Sequence, residues 1–507
     1  MALVTRSAVF ALRRESTEGE LIQPSAGAQF TVLREGFSLT PDVESVASDE
    51  LTNDIGASKS FTTKQVPSAS IPKYFKHSGV EGQEPDWGLM LESALGSVTV
   101  NSTEYDVVSA TAGSSSAAAT ITVDTGEGAQ FTEGQAILVK DGTNGYSVRN
   151  IVSIAGDVLT LNYNLSGAPA AAVALGKAVH YAPTAVGHPT FSAHLYQSGS
   201  SSGYHQAIAG ARTTSTAITL PVNELSTVDF DFEGVRYFLN PITIDATNKD
   251  IDFTDTSGTE VASVEEKSYT TPHDLAAELA SKMSASSVDT ISVLFDESTG
   301  QYVISSDGAT LSLLWDTGTN TATSIGDTLG FDTAADDTGS LSYTADNELS
   351  YDPGVTPSYD NIDPNVTRGT ELLLGSFAKI TRRQGSNMSV TISTNKADVD
   401  DFSVKTGVSE SVTDSRTVEF SATLLLKKHE SQEIQDFLDN NTTTLMVNHG
   451  QCDTAGNWEP GTMMNIYMPN VSVTANTIDD QDGFQVVNLT ATGFVSSTTK
   501  DIHINLV

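Results

Sequence analysis

Apolar residues fall along this chain in short runs separated by Gly, Asn, Asp, Pro and Ser, a pattern of many strands joined by turns. The alternation of a half-buried strand is cleanest over 227–238. Val228, Phe230 and Phe232 point one way there, and Asp229, Asp231 and Glu233 the other. Helical spacing is rare. Trp87, Met90, Leu91, Ala94 and Leu95 recur every three or four residues, which predicts one amphipathic helix over 86–95. Pro85 and Asp86 supply its start, with Asp86 as cap, and Gly96 its stop. A second helix is expected over 271–283, capped by Thr271 with Pro272 at its first position and a Leu275, Leu279, Met283 stripe. A third is expected over 431–438 with Ile434, Phe437 and Leu438 inward.

The strand readings fall into groups. Residues 30–33 and 37–39 read as strands, 51–64 as a long exposed loop or extended arm, and Pro67 and Pro72 as brackets of an edge-like piece. A small-residue run at 110–120 marks a join. Beyond it, strands at 121–123, 136–139, 147–154 and 158–161 alternate with tight turns at Asp141-Gly142, Asn144-Gly145 and Gly156-Asp157, predicting a small β-barrel. Strands at 242–244, 251–253, 291–295, 302–304 and 311–315 around the second helix predict a small α+β module. Strands at 191–196, 217–220, 372–374, 388–392, 418–426, 465–468 and 484–489 complete the main body, with a turn at 479–483. The expected organisation is a main domain in three parts, 1–99, 183–240 and 353–507, interrupted by the barrel at 100–182 and the α+β module at 241–352.

Composition agrees with a mainly β class and narrows the partners. Of 507 residues, 38% are hydrophobic and 18% charged; 64 acidic against 26 basic residues give −38, which disfavours tight nucleic-acid binding. The single cysteine, Cys452, excludes a disulfide framework. No apolar run is long enough to cross a membrane as a helix, and the first residues read as mature sequence without a signal segment. A product that assembles inside a cell is the expectation.

No catalytic constellation emerges, so catalytic, cofactor and metal residues are all expected to be none. His449, Cys452 and Asp453 lack the paired-ligand spacing of a zinc site. The Asp480–Gly483 stretch fails as a calcium loop, because aligning Gly483 with the loop glycine puts Ile478 and Leu489 at ligand positions; a hairpin turn is the expectation. Phosphate-loop, nucleophile-elbow and zincin motifs are missing, and Arg382-Arg383 is too small for a nucleic-acid patch. Carboxylates are numerous, yet none stands out as the pair a glycosidase needs.

A family resemblance adds to this reading. The segment ESTEGE at 15–20, followed by PDWGLMLESALG at 85–96, resembles the major tail tube proteins of long-tailed, siphovirus-like bacteriophages, in which a Pro-x-Trp-Gly helix closes the N-terminal portion. AGAR at 209–212, FDFEGVRYF at 230–238, RTVEFSATL at 416–424 and IDDQDGFQVVNL at 478–489 continue the likeness in order. DTLGF at 327–331 with TGSLSY at 338–343 resembles a module of phage structural proteins, and 131–165 an insertion of larger tube proteins. The resemblance implies a tail-tube β-sandwich with a flanking short helix. Subunits would form hexameric rings that stack into the tube for genome ejection. Expected partners are further copies of the chain, the tape measure, the tail terminator and baseplate or distal tail proteins, with double-stranded DNA passing unbound and no membrane. It further implies a place in the virion tail after assembly in the host cytoplasm, an inter-ring role for 51–64, and inserted modules on the outside. The alternatives are a single-ring tail component, an extracellular carbohydrate-binding or adhesive β-protein, and, third, a glycosidase.

Overall fold

The computed structural model describes residues 8–49, 59–140, 145–197, 203–359, 362–365, 370–377, 379–427, 432–453 and 457–507. The fold is mainly β, with a large antiparallel sheet and a curled five-strand half-barrel. Three branches make up the large sheet. One runs in the order Gly96–Asn101, Ala178–Pro183, His503–Leu506, the first part of Met464–Gln481, Thr442–His449, Glu371–Ser376 and Lys379–Arg383. A second starts from the later part of Met464–Gln481. It continues through Phe484–Gly493, Val408–Leu425, Gly385–Asp400, Tyr204–Pro221, Thr227–Glu233, Ser68–Tyr74 and Ser38–Thr40. In the third, the start of Tyr204–Pro221 lies between Arg236–Leu239 and Phe191–Gln197, and the latter continues through Ala8–Arg14 to Phe30–Thr31. Side chains from all three meet in one core that includes Leu12, Ile71, Phe230, Ile392, Phe420, Leu445, Ile466 and Ile504.

The helix around Trp87 spans Gly88–Leu95 and sits inside this core. Gly96 ends it in the left-handed conformation at φ 99°, as its position in the sequence implies. Two expectations for it change. It is buried nearly all round, Glu92 and Ser93 included, and so is not a two-faced surface helix. Asp86 does not cap it. Its carboxylate lies 2.9 Å from the Lys73 ammonium, which is itself buried, and a buried cation outcompetes backbone N–H groups for that charge.

Other expectations shift in extent. Thr227–Glu233 keeps the expected alternation, with Val228, Phe230 and Phe232 buried. The reading at 30–33 shrinks to Phe30–Thr31 and that at 311–315 to Ser312–Leu313; the third helix is Gln432–Asp439, but Phe437 and Leu438, expected inward, are exposed. Ser68–Tyr74 is no edge, since Ser38–Thr40 and Thr227–Glu233 flank it. Thr442–His449 was not expected, and the strands read at 388–392, 418–426 and 465–468 run to Gly385–Asp400, Val408–Leu425 and Met464–Gln481. Asp141-Gly142 and Asn144 lie outside the described residues.

The half-barrel grows out between Gly96–Asn101 and Ala178–Pro183, which pair with each other. Its strand order is Ala136–Lys140, Tyr146–Ala155, Val158–Leu161, Thr120–Thr122 and Ser109–Thr111. Among the described residues the two outer strands do not pair, so the expected barrel stays open. The physical reason is that Ala136–Lys140 turns to the main body: Ala136 and Leu138 share a cluster with Ala178, Met463 and Val507. The segment from 242 to 349 encloses a core of its own, with helix Pro272–Ser286 capped by Thr271 and burying Leu275, Leu279 and Met283.

Candidate assembly interface

Two strand pairs leave the core and project. In Gly385–Asp400, residues 387–393 are paired on both sides, whereas the stretch beyond Ser393 pairs only with Val408–Leu425. This ribbon carries a fully exposed Phe402 at its tip, with Val399 and Val412 also exposed. Part-way along it, Ser411 donates its N–H and hydroxyl to the Glu18 carboxylate, which pairs with Arg212 at 2.8 Å. The second ribbon, Val43–Ala47 with Ser60–Gln65, exposes Val43, Val46 and Phe61. The segment expected to be a loop or arm at 51–64 therefore includes a strand from Ser60; residues 51–58 lie outside the described residues.

The ribbons hold each other. The Gln65 N–H donates to the Thr406 carbonyl at 3.0 Å, and the Lys64 ammonium reaches Asp398 at 2.7 Å and Asp400 at 3.4 Å. Lys396 also pairs with Asp398. Burial pushes the Asp398 carboxyl up, but hydrogen bonds from Lys396 and Lys64 outweigh it and leave it lowered.

The second branch ends on both sides in strands that, among the described residues, pair along one edge only, and helix Gln432–Asp439 packs against one of them, Met464–Gln481. Beyond Val473, Met464–Gln481 pairs only with Phe484–Gly493, and this stretch is exposed with Ile478 and Phe484 outermost. Asp482 and Gly483, both at positive φ (54° and 82°), make the tight hairpin turn the sequence predicts. At the far side, Ser38–Thr40 and Val43–Ala47 each have a single partner among the described residues.

The candidate chemistry is dispersed. His449 is buried, with Nε2 2.7 Å from the Ser226 hydroxyl and Nδ1 3.0 Å from that of Thr370, while Cys452 is exposed and Asp453 accepts from Asn457. Among the described residues no three His, Cys, Asp or Glu side chains gather as a metal site. A cleft of about 500 Å³ beside the Trp87 helix holds Arg13, Arg14, Glu84 and Glu92. Burial, and then the Glu92 charge, push the Glu84 carboxyl up, a feature sequence spacing does not reveal. Both carboxylates are engaged, Glu92 by Arg14 and Glu84 by the Tyr181 hydroxyl at 3.5 Å. A cleft of about 1090 Å³ between half-barrel and sheet is lined by Arg149, Arg382 and Arg383. Arg149 donates to the carbonyls of Val148 and Asn164, and Arg382 pairs with Glu371. No family model and no curated protein matches this chain.

Proposed function

We propose that this chain is a non-enzymatic structural protein of a bacteriophage tail, the subunit of a tail tube. The observation that supports this most is the pair of strands at the two ends of the second branch that, among the described residues, have a strand partner on one side only, 38–40 at one end and 474–481 at the other. Open edges pair with other chains unless blocked. Two different edges on one molecule make a head-to-tail contact, which closes into a ring when the rotation fits. Pairing one copy's 474–481 with the next copy's 38–40 would join the sheets into one continuous barrel, the β-sandwich tube of the family the sequence resembles. The rings, hexameric in that family, would stack through the ribbons carrying Phe61 and Phe402. The half-barrel and the α+β module would decorate the outside. The remaining partners are then the tape measure, tail terminator and baseplate or distal tail proteins, with DNA passing through a lumen that does not hold it. Assembly in the host cytoplasm and residence in the virion follow from the same reading.

Negative-stain microscopy of the purified chain across concentration tests the proposal. Long hollow tubes of uniform width are expected. Single closed rings would instead assign the chain to a terminator or baseplate part, and monomers at every concentration would overturn the reading. Ile478→Lys adds a charge to one exposed edge; monomer stability should stay within about 0.5 kcal/mol, because the residue covers no core. Its tubes should be lost.

A further inference from the structure

The seam between half-barrel and main sheet is built from three kinds of contact. One is the apolar cluster of Ala136, Leu138 and Val148 against Ala178, Met463 and Val507. Another is a row of buried amides. Asn150 and Asn465 exchange hydrogen bonds at 2.7 and 3.1 Å, Asn505 donates to Asn465 and to the Gly134 carbonyl, and Asn465 donates to Asn448. The third is a pair of buried histidines. Nε2 of His180 lies 3.0 Å from Nδ1 of His503, the rings stack at 5.2 Å, and Nδ1 of His180 lies 3.0 Å from the Thr132 hydroxyl of the half-barrel. Gly134, at φ +86°, lays its backbone on the other ring: a Cβ there would stand 2.2 Å from His503.

We infer that the His180–His503 pair is an acid-sensitive latch, which keeps the half-barrel seated when neutral and releases it from the sheet when both rings are protonated. The geometry sets the rule. A ring–ring hydrogen bond at 3.0 Å needs one N–H and one bare nitrogen, so the neutral pair fits and a single added proton can be accommodated. A second proton points two N–H groups at each other between two stacked cations.

The groups around the pair oppose charge. His503 also stacks on Tyr467 at 6.1 Å, the charge acting on it is the cationic Lys500, and Glu133, between Thr132 and Gly134, is exposed. Glu371 stands at the far end of the amide row, where it accepts from Asn448 and pairs with Arg382. Burial, and then the partner ring, hold His180 down to about 3; burial, and then Lys500, hold His503 down to about 4. The amides and apolar contacts do not titrate in mild acid.

The sign follows directly. Folded values below the free histidine value favour the closed seam above about pH 6.5, and that preference is lost as pH falls towards 4. For one ring at about pH 4.5, opening gains roughly 80-fold.

Hydrogen exchange by mass spectrometry on the full chain, at about pH 7.5 and about pH 4.5 with intrinsic rates corrected, reads the latch. Peptides over 131–140, 148–155 and 503–507 should lose protection in acid while 87–95 and 228–232 keep theirs. In a His180→Gln, His503→Gln double variant the acid response of the seam should vanish. An unchanged acid response in that variant, or no response in the parent chain, overturns the inference. Histidine C2-hydrogen exchange on the unmodified chain decides the matter should the variant not fold. Both rings should titrate at the pH where the seam opens; titration like free histidine would sink the idea.

Discussion

Trp87 shows what a single residue does here. Its indole lies 5.9 Å from the rings of both Phe75 and Phe230, is fully buried, and donates Nε1–H to the Lys76 carbonyl at 2.9 Å. Trp87→Ala should cost about 3–5 kcal/mol in urea unfolding, since it removes a whole side chain from a packed core. Trp87→Phe keeps most of the volume but orphans the Lys76 carbonyl, and should cost about 1–3 kcal/mol. An equal loss in both would mean that the hydrogen bond, and not packing, dominates. His449 makes a second residue-scale case. Burial alone holds it down to about 4 while two hydroxyls face its nitrogens. Its contribution is complete above about pH 6.5 and is lost as pH falls towards 4, with about 2 kcal/mol gone by pH 5. His449→Gln should flatten that part of the stability–pH profile, which urea midpoints at a series of pH values would record. The tryptophan and its helix were legible in the sequence because spacing is local. The role of Asp86 was not, because Lys73 reaches it from another strand and no spacing rule reports a partner brought in by tertiary folding.

Elements that cover the core announce themselves, and elements that leave it do not. Thr227–Glu233 has one face in the core and one in solvent, so its alternation survives in the sequence. Thr442–His449 is buried over its second half, where only Leu445, Met446 and Val447 are apolar and Asn448 and His449 are polar, so it shows neither alternation nor a long apolar run. The ribbon beyond Ser393 buries polar side chains such as Thr394, Lys396 and Ser411 on its covered face, so that face carries no hydrophobic signal and its strands read as shorter than they are. The open half-barrel was hidden for a related reason: strand number was readable, whereas the partner that covers Ala136–Lys140 lies at the other end of the chain. Asp398 tests whether the two ribbons act together. Asp398→Asn leaves the Lys64 and Lys396 ammonium groups facing each other without the carboxylate between them. It should destabilise the joint by about 1–3 kcal/mol. Exchange over 396–412 and 60–65 should quicken while 87–95 stays protected. Faster exchange in only one ribbon would show that they move independently.

At the scale of the molecule, folding and assembly answer to different forces. The hydrophobic core drawn from 242 to 349 comes from one continuous stretch and includes a capped helix and its own short sheets. A fragment of 241–352 should therefore unfold cooperatively by itself, with a sigmoidal circular-dichroism melt. A sloping, featureless melt would mean that it depends on the sheet. Assembly must instead work against charge. In the ring proposed above each subunit would bring −38, and the strand proposed for pairing exposes Ile478 as well as carboxylates such as Asp479 and Asp480. Apolar contact and strand pairing favour association, while the summed repulsion opposes it over a range set by the Debye length. Raising NaCl from about 20 to about 300 mM shortens that length from roughly 20 Å to less than 10 Å, so the concentration at which tubes form should fall. Light scattering across that series would measure it. A rise in the critical concentration with salt would mean that ion pairs between copies hold the tube together, and the edge-pairing account would give way to an electrostatic one.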